Sequence, residues 1–556
     1  MLLRRKGIIV CVVLLLAGFA FRFCLAHFLP NDEPNDGKVY AQLARNLLEQ
    51  HVYSHATEPP YEPSLIRLPG YPLFLAAIYS EFGHSNNGAV RMVQAVTDTA
   101  ACGLAGFVAF LWEPDQKRKQ TAAICAIALS AFCPFTAIYV ATILTETLTI
   151  FFAMAMCLTA TLAFQTKTFR RSLTFWFLTG VVAGIAVLFR PDSGLFAGSI
   201  GMTLVVTTLL DVWKGRNKSA DSDVRRRIRL ATCCTAVLSV SFCLVLVPWT
   251  IRNYRVFHLF QPLAPAHAEM PGEFVPRGYL TWVRTWLDDG RYVGPVLWSM
   301  DERAIKISDF PDQAFDSSAE KETVAALLDR YNHPPDSADE SQSEETNSEN
   351  ASAAPEKSTS DETQQDSADG SDEESDAGDE EENSPDDQST ASEEQNVEMT
   401  PEVDMGFAAL ARTRIARAPF RYYIRLPLKR ALSLWFDTHS QYYPFQGELL
   451  PLSDLDHDIR QQFWLPLFTA LTWLSTLLAI AGGWCIWRAR SLTARRWLIL
   501  ALLMTFTRLA FFSSLENPEP RYVVEIFPFL AILGGIAVAQ INFRTFRPFL
   551  RQKLPT

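Results

Sequence analysis

The loops of this sequence lack cysteine. All ten cysteines lie within apolar runs: Cys11, Cys24, Cys102, Cys125, Cys133, Cys157, Cys233, Cys234, Cys243 and Cys485. Disulfide bonds form in oxidising compartments and there tie loops together, so this pattern excludes a disulfide-stabilised loop region. It also excludes a zinc site built from paired cysteines. We expect these residues to be small hydrophobic side chains within a membrane.

Basic residues are almost absent from one long segment. Residues 331–405 contain 26 Asp and Glu but one Lys, so this segment has a net charge of −25. Since the whole chain has a net charge of −11, the remainder has a net charge of +14. Residues 334–404 are mainly Ser, Asp, Glu, Ala, Gln and Pro, a composition that cannot bury enough apolar surface to form a core. We therefore predict a disordered acidic insert at 334–404. We favour a solvated loop over a cation buffer or a docking site.

Apolar runs of about 18 to 25 residues recur on both sides of this polar region, each long enough to cross a hydrocarbon core roughly 30 Å thick. The sequence predicts an all-α polytopic membrane protein with about ten transmembrane helices (range 9–13). The predicted spans are 7–29, 88–112, 121–138, 141–164, 173–190, 194–213, 230–249, 463–487, 497–514 and 522–541. No small-x-small cleavage site follows the first span, so we expect it to stay as an anchor.

Lys and Arg collect in alternate short loops, which fixes the expected orientation. They lie at 117–119, 167–171, 214–229, 488–496 and 544–553, all on the side of the N-terminus. Both termini are therefore predicted to be cytoplasmic, in a bacterial inner membrane. The resulting segments are 1–29 (first transmembrane helix), 30–87 (first extracytoplasmic loop), 88–249 (transmembrane helices 2–7), 250–462 (large extracytoplasmic region), 463–541 (transmembrane helices 8–10) and 542–556 (cytoplasmic tail).

Aromatic and basic residues alternate on both sides of the acidic insert, at 274–332 and 406–460. This mixture is typical of short helices at a membrane interface, with 420–436 as the example. We expect such helices to line a cavity at the outer face, and the candidate residues for its lining are Trp282, Trp286, Trp435 and Phe436.

Four ionisable residues fall inside or at the ends of spans, where charge is costly and therefore often functional. For Asp98 we favour interhelical hydrogen bonding. Glu146 also suits a helix N-terminus, and Arg190 also suits an interfacial position, so structural roles remain open for both. Arg508 is expected to pair with one of the carboxylates.

The first outer loop holds the densest group of candidate residues. Acidic residues at 32, 33 and 36 follow the first span, and an amphipathic helix is predicted from Asp36 or Gly37 to about Gln50. Arg67 then precedes a proline-punctuated return toward the membrane. A helix cap at Asp36 and an ordinary loop cation at Arg67 are the structural alternatives.

These motifs resemble those of a known family. Asp36-x-x-x-Tyr40 and Arg67-x-Pro69-Gly70-Tyr71-Pro72 resemble the first-loop signature of GT-C membrane glycosyltransferases. Further matches are 145–147, 184–191, 248–254 and Arg521-Tyr522. The chain looks most similar to the branch of dolichyl-phosphate-mannose protein mannosyltransferases and bacterial aminoarabinose lipid A transferases. Several relatives carry Asp-Glu at the catalytic position, whereas Gly37 follows Asp36 here.

The resemblance implies an inverting transfer of sugar from a polyprenyl-phosphate donor to a hydroxyl of a lipid, glycan or protein acceptor, outside the cytoplasm. A carboxylate base would take the hydroxyl proton, and cations would hold the leaving phosphate. The implied site residues are Asp36 (base), Glu146 (orienting the acceptor or a supporting cation), Arg67, Arg252, Arg521 and Arg190 (donor phosphate), and Tyr40, Tyr71 and Tyr522 (support). Asp32 and Glu33 are the alternative base.

A divalent metal requirement stays open, because His51 and His55 lie four residues apart but no strong ligand motif accompanies them. No nucleic-acid partner is expected. One alternative function is a transporter or lipid flippase, which would predict repeated halves and midplane polar sites; the sequence has no convincing internal repeat. The other is a scaffold that has lost catalysis and acts through its acidic insert.

Overall fold

The structure is a computed structural model, and it describes residues 5–29, 35–215, 221–334, 397–437, 442–445, 459–489 and 491–541. Most of the predicted acidic insert, both alternative base residues Asp32 and Glu33, and the tail 542–556 lie outside the described residues. Within these ranges every regular element is helical and no strand occurs.

The helices are numbered in chain order. They are α1 (Arg5–Phe28), α2 (Asn35–Glu49), α3 (Gly70–Phe82), α4 (Asn87–Trp112), α5 (Lys119–Ala131), α6 (Pro134–Ala137), α7 (Glu146–Gln165), α8 (Phe169–Phe189), α9 (Gly194–Gly215), α10 (Asp221–Phe257), α11 (Arg277–Arg284), α12 (Ser318–Asn332), α13 (Pro401–Arg417), α14 (Leu426–Phe436), α15 (Ile459–Arg488), α16 (Leu492–Ser513) and α17 (Phe527–Gln540). Short 3-10 turns at Ile138–Ala141 and Pro520–Ile526 lead toward α7 and α17.

Across the described ranges, nine helices are long and apolar enough to cross a membrane, and one bent pair makes a tenth candidate. This confirms the predicted all-α polytopic fold. The boundaries of the third and fourth spans were wrong, however. The third predicted span, 121–138, is broken: α5 ends at Ala131, and the chain bends by 52° into the segment that starts at Pro134. The fourth helix, predicted from 141, begins only at Glu146.

The last span, Pro520–Gln540, lies inside the bundle, and 89% of its apolar stretch is buried. It packs against α5 and α15. Small residues permit this close approach: a Cβ on Gly482 would lie 1.9 Å from the Leu533 carbonyl oxygen, and one on Gly535 would lie 2.7 Å from that of Ala122. The turn that precedes α17 is therefore held by a fully packed helix.

The chain divides into two compact units. The membrane unit comprises Met1–Val275, Asp288–Gly290 and Ala418–Thr556, and the loop unit comprises Pro276–Leu287 and Arg291–Arg417. The loop unit contains α11, α12 and α13. Across the insert, the Glu398 backbone N–H donates to the Tyr331 carbonyl at 3.4 Å, so the described chain leaves and returns at one place.

The loop unit corrects one expectation. Trp282 and Trp286 were expected to line an acceptor cavity, but their side chains are fully buried in the unit's own aromatic core beside Tyr279, Phe310 and Phe407. Aromatic residues that alternate with charges can belong to an interface helix or to a small hydrophobic core, and the sequence pattern alone did not distinguish the two.

The predicted helix at 420–436 is present in the membrane unit, as a π-helical turn followed by α14. Phe420, Ile424 and Leu428 form an exposed apolar row along it, which suits the predicted membrane-interface position. Trp435 instead packs inward, where its indole N–H donates to Thr476 at 2.9 Å. Phe436 stacks on Trp473.

Candidate functional site

Asp36 lies between two arginines that come from distant parts of the sequence. One carboxylate oxygen is 2.8 Å from Arg67 Nη2, and the other is 3.3 Å from Arg521 Nη2. The side chain of Asp36 is 35% exposed, and those of Arg67 and Arg521 are 25% and 14% exposed. The three groups therefore form a partly open site with one carboxylate and two guanidiniums.

Asp36 is the second residue of α2 and lies in its first turn, so it does not occupy the cap position that was its structural alternative. Leu43 and Ala44 of the same helix are fully buried. The amphipathic pattern therefore determines how the helix is rotated about its own axis. Burial alone would raise the pKa of Asp36. The Arg521 and Arg67 guanidiniums outweigh it and hold that pKa below its ordinary value. Asp36 is therefore ionised at neutral pH.

Arg67 is positioned by the residues around the start of α3. Its carbonyl accepts a hydrogen bond from the Tyr53 hydroxyl at 3.1 Å, and its guanidinium lies 5.9 Å from the centre of the Tyr40 ring. A Cβ on Gly70 would lie 2.6 Å from the Leu188 carbonyl oxygen, so glycine allows α3 to start against the end of α8. This contact explains the need for glycine in the Arg67-x-Pro-Gly motif.

Two aromatic residues support this side of the site. Tyr40 contacts Tyr71 edge to face at 5.1 Å between ring centres. The Tyr71 hydroxyl donates to Gln94 at 2.8 Å, which anchors the pair to α4. Burial raises the pKa of Tyr40 to about 12, so its hydroxyl stays protonated at neutral pH.

Arg521 lies on the 3-10 turn before α17, the Pro520–Ile526 turn. It forms an ion pair with Glu519 at 2.5 Å and donates to the Tyr442 hydroxyl at 3.3 Å. Burial raises the pKa of Tyr442 to about 12, so that hydroxyl is neutral and accepts the bond. Sequence reasoning missed Glu519 and Tyr442, because neither stands in a motif or inside a span.

A second group of charges is more enclosed than Asp36, and we call it the buried cluster. Its members are Arg190, Arg508, Glu146, Asp192 and Glu525. Arg190 contacts Glu146 and Asp192 at 2.9 Å each and Glu525 at 3.6 Å, while Arg508 contacts Asp192 at 3.1 Å and Glu525 at 2.9 Å. These side chains are almost fully enclosed.

Tyr522 connects the buried cluster to the Asp36 site. Its ring centre is 5.2 Å from the Arg521 guanidinium and 5.4 Å from that of Arg190. Glu146 and Arg190 thus lie near the site, but they pair with each other rather than with Asp36. Glu525 was missed even though it is an ionisable residue within a predicted span, the same signal that singled out Arg508.

Arg252 occupies a different environment. Its guanidinium lies 5.0 to 5.4 Å from the ring centres of Trp249, Phe257 and Tyr53, and it donates to the Ser64 carbonyl at 2.7 Å. None of these contacts involves Asp36. The geometry therefore favours Arg252 as a support for the loop that carries Arg67.

The remaining charged candidate is remote from the site. Asp98 forms an ion pair with Arg22 of α1, at 2.6 Å between Oδ2 and Nε, and both side chains are buried. The expected interhelical bonding of Asp98 is confirmed, although its partner is Arg22 and not Arg508.

Within the described ranges, no group of three or more His, Cys, Asp and Glu is arranged to hold a metal ion.

Comparison with known proteins gives one family match. Residues 12–262 match the family model of dolichyl-phosphate-mannose-protein mannosyltransferases. No curated protein sequence matches the chain.

Among the solved structures that match this chain are two membrane proteins of low sequence identity. The archaeal oligosaccharyltransferase AglB from Archaeoglobus fulgidus, solved with an inhibitory peptide and a dolichol-phosphate, is 14% identical; the alignment covers 98% of this chain and 52% of AglB, with a TM-score of 0.46. ArnT from Cupriavidus metallidurans, bound to undecaprenyl phosphate, is 13% identical over 99% of this chain and 82% of ArnT, with a TM-score of 0.35. This chain thus spans about half the length of AglB.

The segment covered by the family match contains Asp36, Arg67, Glu146 and Arg190, whereas Arg521 lies beyond it. The match confirms the resemblance that the sequence motifs indicated: residues 12–262, a little under half of the chain, are similar to the dolichyl-phosphate-mannose-protein mannosyltransferases.

Proposed function

We propose that this protein transfers a sugar from a polyprenyl-phosphate donor to an acceptor hydroxyl at the extracytoplasmic face of the membrane. The observation that carries the proposal is the Asp36 carboxylate held between the Arg67 and Arg521 guanidiniums at 2.8 and 3.3 Å. One carboxylate and two cations are the groups that a single displacement at a phosphate-activated sugar needs.

In the proposed reaction, Asp36 takes the proton of the acceptor hydroxyl as its oxygen bonds to the anomeric carbon. The bond between that carbon and the donor phosphate oxygen breaks, and its electron pair stays on the polyprenyl phosphate. Arg67 and Arg521 hold this anion by charge-assisted hydrogen bonds. The attack from the opposite side inverts the anomeric carbon.

The donor also makes Asp36 a better base. In the free protein both guanidiniums lower its pKa. A phosphate that binds these guanidiniums competes with Asp36 and adds negative charge beside it, and both effects raise the pKa of a carboxyl group. Asp36 would therefore gain basicity when the donor is in place.

The structure favours Arg67 and Arg521 over the other predicted phosphate ligands. Arg190 already contacts three carboxylates in the buried cluster, and Arg252 is enclosed by aromatic rings. For Glu146 we keep both predicted roles, orienting the acceptor or a supporting cation, since it acts electrostatically on Arg521 and Tyr442.

The predicted membrane orientation is supported by the place where Asp36, Arg190 and Arg521 meet. Asp36 follows α1, Arg190 connects α8 to α9, and Arg521 follows α16, yet all three lie together. The loops that the charge pattern assigned to the outer side therefore share one end of the bundle. We infer that this end faces away from the cytoplasm of a bacterial inner membrane.

Membranes that contain the native protein should transfer labelled sugar from polyprenyl-phosphate donors but not from the matching nucleotide sugars. The product should have the anomeric configuration opposite to that of the donor. Retention of configuration would contradict a single displacement. Transport of a lipid-linked substrate without transfer from any donor would favour the flippase alternative.

A further inference from the structure

Arg508 contacts the Pro520–Ile526 turn at two points. Its Nε donates to the Tyr522 carbonyl at 2.6 Å, and its Nη2 lies 2.9 Å from the Glu525 carboxylate. Both side chains are fully enclosed. The two contacts lie one and four residues after Arg521, so they fix the part of the backbone from which Arg521 projects.

The same guanidinium ties this turn to the connection between α8 and α9. Arg508 Nη2 contacts Asp192 at 3.1 Å, and Asp192 in turn contacts Arg190 at 2.9 Å. Arg190 lies beside the Tyr522 ring, which Arg521 also contacts. An unbroken series of contacts therefore runs from the interior of the bundle to Arg521.

We propose that Glu525 and Arg508 are positioning residues that hold the turn so that Arg521 meets the donor phosphate. This inference rests on the proposed function. Neither residue lies against Asp36, so each would act through Arg521.

Stability alone does not account for these charges. Replacing a buried ion pair by well-packed apolar residues is often neutral or stabilising, so such a pair is weak evidence for a role in stability. What the pair does supply is a directional constraint, because one planar guanidinium holds both the Tyr522 carbonyl and the Glu525 carboxylate.

The chain provides a matched control. Arg22 and Asp98 form a buried ion pair of the same kind at 2.6 Å, between α1 and α4, and neither contacts Asp36 or Arg521. Glu525→Gln and Asp98→Asn make the same chemical change, a carboxylate to an amide, in two enclosed pairs. Asp211→Asn, which removes the partner of Arg496, is the second control.

The experiment measures two quantities for each purified variant: binding of undecaprenyl phosphate, and kcat and KM for the lipid-linked donor, per folded molecule. For Glu525→Gln we expect phosphate binding and kcat/KM to fall by about ten- to a hundredfold, because a displacement of about 1 Å in a reacting group has effects of this size. Asp98→Asn and Asp211→Asn should leave both quantities unchanged and alter only thermal stability.

The direction of the change separates positioning from simple electrostatics. Removing a negative charge would by itself tighten the binding of an anion, so tighter or unchanged binding in Glu525→Gln would overturn the inference. Arg508→Lys keeps the charge but replaces the planar guanidinium, whose Nε and Nη2 make the two contacts, by a single ammonium group. It should weaken binding as well, and it carries the test if Glu525→Gln does not accumulate. If the native protein transfers no sugar, the proposed function fails and the inference with it; if native transfer is normal and both variants match it, only the inference fails.

Discussion

Replacing Arg521 by glutamine should lower kcat/KM for the lipid-linked donor. Arg521 supplies one of the two guanidiniums beside Asp36. A hydrogen bond to a charged group contributes about 1.5–3 kcal/mol. Its loss in the transition state corresponds to a fall of about 10- to 150-fold in kcat/KM. The more exposed Arg67 is better screened by solvent, so Arg67→Gln should cost less.

The substitution also leaves a carboxylate behind. Glu519, which is 7% exposed, faces Arg521 with one oxygen, while its other oxygen accepts hydrogen bonds from Asn517 at 2.7 Å and Tyr522 at 3.1 Å. Breaking a buried pair costs up to about 3–5 kcal/mol, and the two remaining hydrogen bonds reduce this cost. The double variant Arg521→Gln/Glu519→Gln removes the unpaired charge and should recover thermal stability.

The assay is sugar transfer by purified protein at several donor concentrations, normalised to the folded fraction, with thermal unfolding followed in the same detergent. The double variant should regain stability but not kcat/KM. If it regained both, Arg521 would have only a structural role. An unchanged kcat/KM in the single variant would refute the assignment of Arg521 to the donor phosphate.

Three further outcomes are expected. Since the pKa of Asp36 is lowered in the free protein, the acid limb of kcat/KM should lie below the ordinary pKa of an Asp carboxyl group. The acid limb of kcat should lie at higher pH because bound donor raises that pKa; coincident limbs would contradict the competition for the arginines. Replacing residues 335–396 by a short Gly/Ser linker should leave transfer intact, whereas lost activity would favour the scaffold alternative. Gly482→Ala should destabilise the protein by about 1–3 kcal/mol in thermal unfolding, because its Cβ would overlap a backbone carbonyl; Gly483→Ala, whose nearest atom is a leucine methyl at 3.4 Å, is the control.

Much of the bundle was predictable because a transmembrane helix needs a long apolar run, and this requirement is local in sequence. The break between α5 and the Pro134 segment was not predicted, since apolar residues continue through the bend and only the proline marks it. The core of the loop unit was also missed. Burial of Trp282 depends on contacts with Phe310 and Phe407 that are far away in the chain.

The site followed a similar division. Asp36, Arg67 and Arg521 were all selected from motifs, and the structure brings them together. Which arginine pairs with which carboxylate was not readable, because pairing is decided by the packing of spans that are hundreds of residues apart. Arg508 illustrates this: its charge inside a span was noticed, but its partners Asp192 and Glu525 were not.

The central claim is that Asp36 takes the acceptor proton, and sugar transfer by Asp36→Asn tests it most directly. Glu49→Gln is the matched control, because Glu49 is the last residue of the same helix and is partly exposed beside His84. With native donor and acceptor, Asp36→Asn should lose transfer while it still inserts and binds undecaprenyl phosphate, and Glu49→Gln should retain transfer. Undiminished transfer by a folded Asp36→Asn protein would contradict the account and move the base to Asp32 or Glu33.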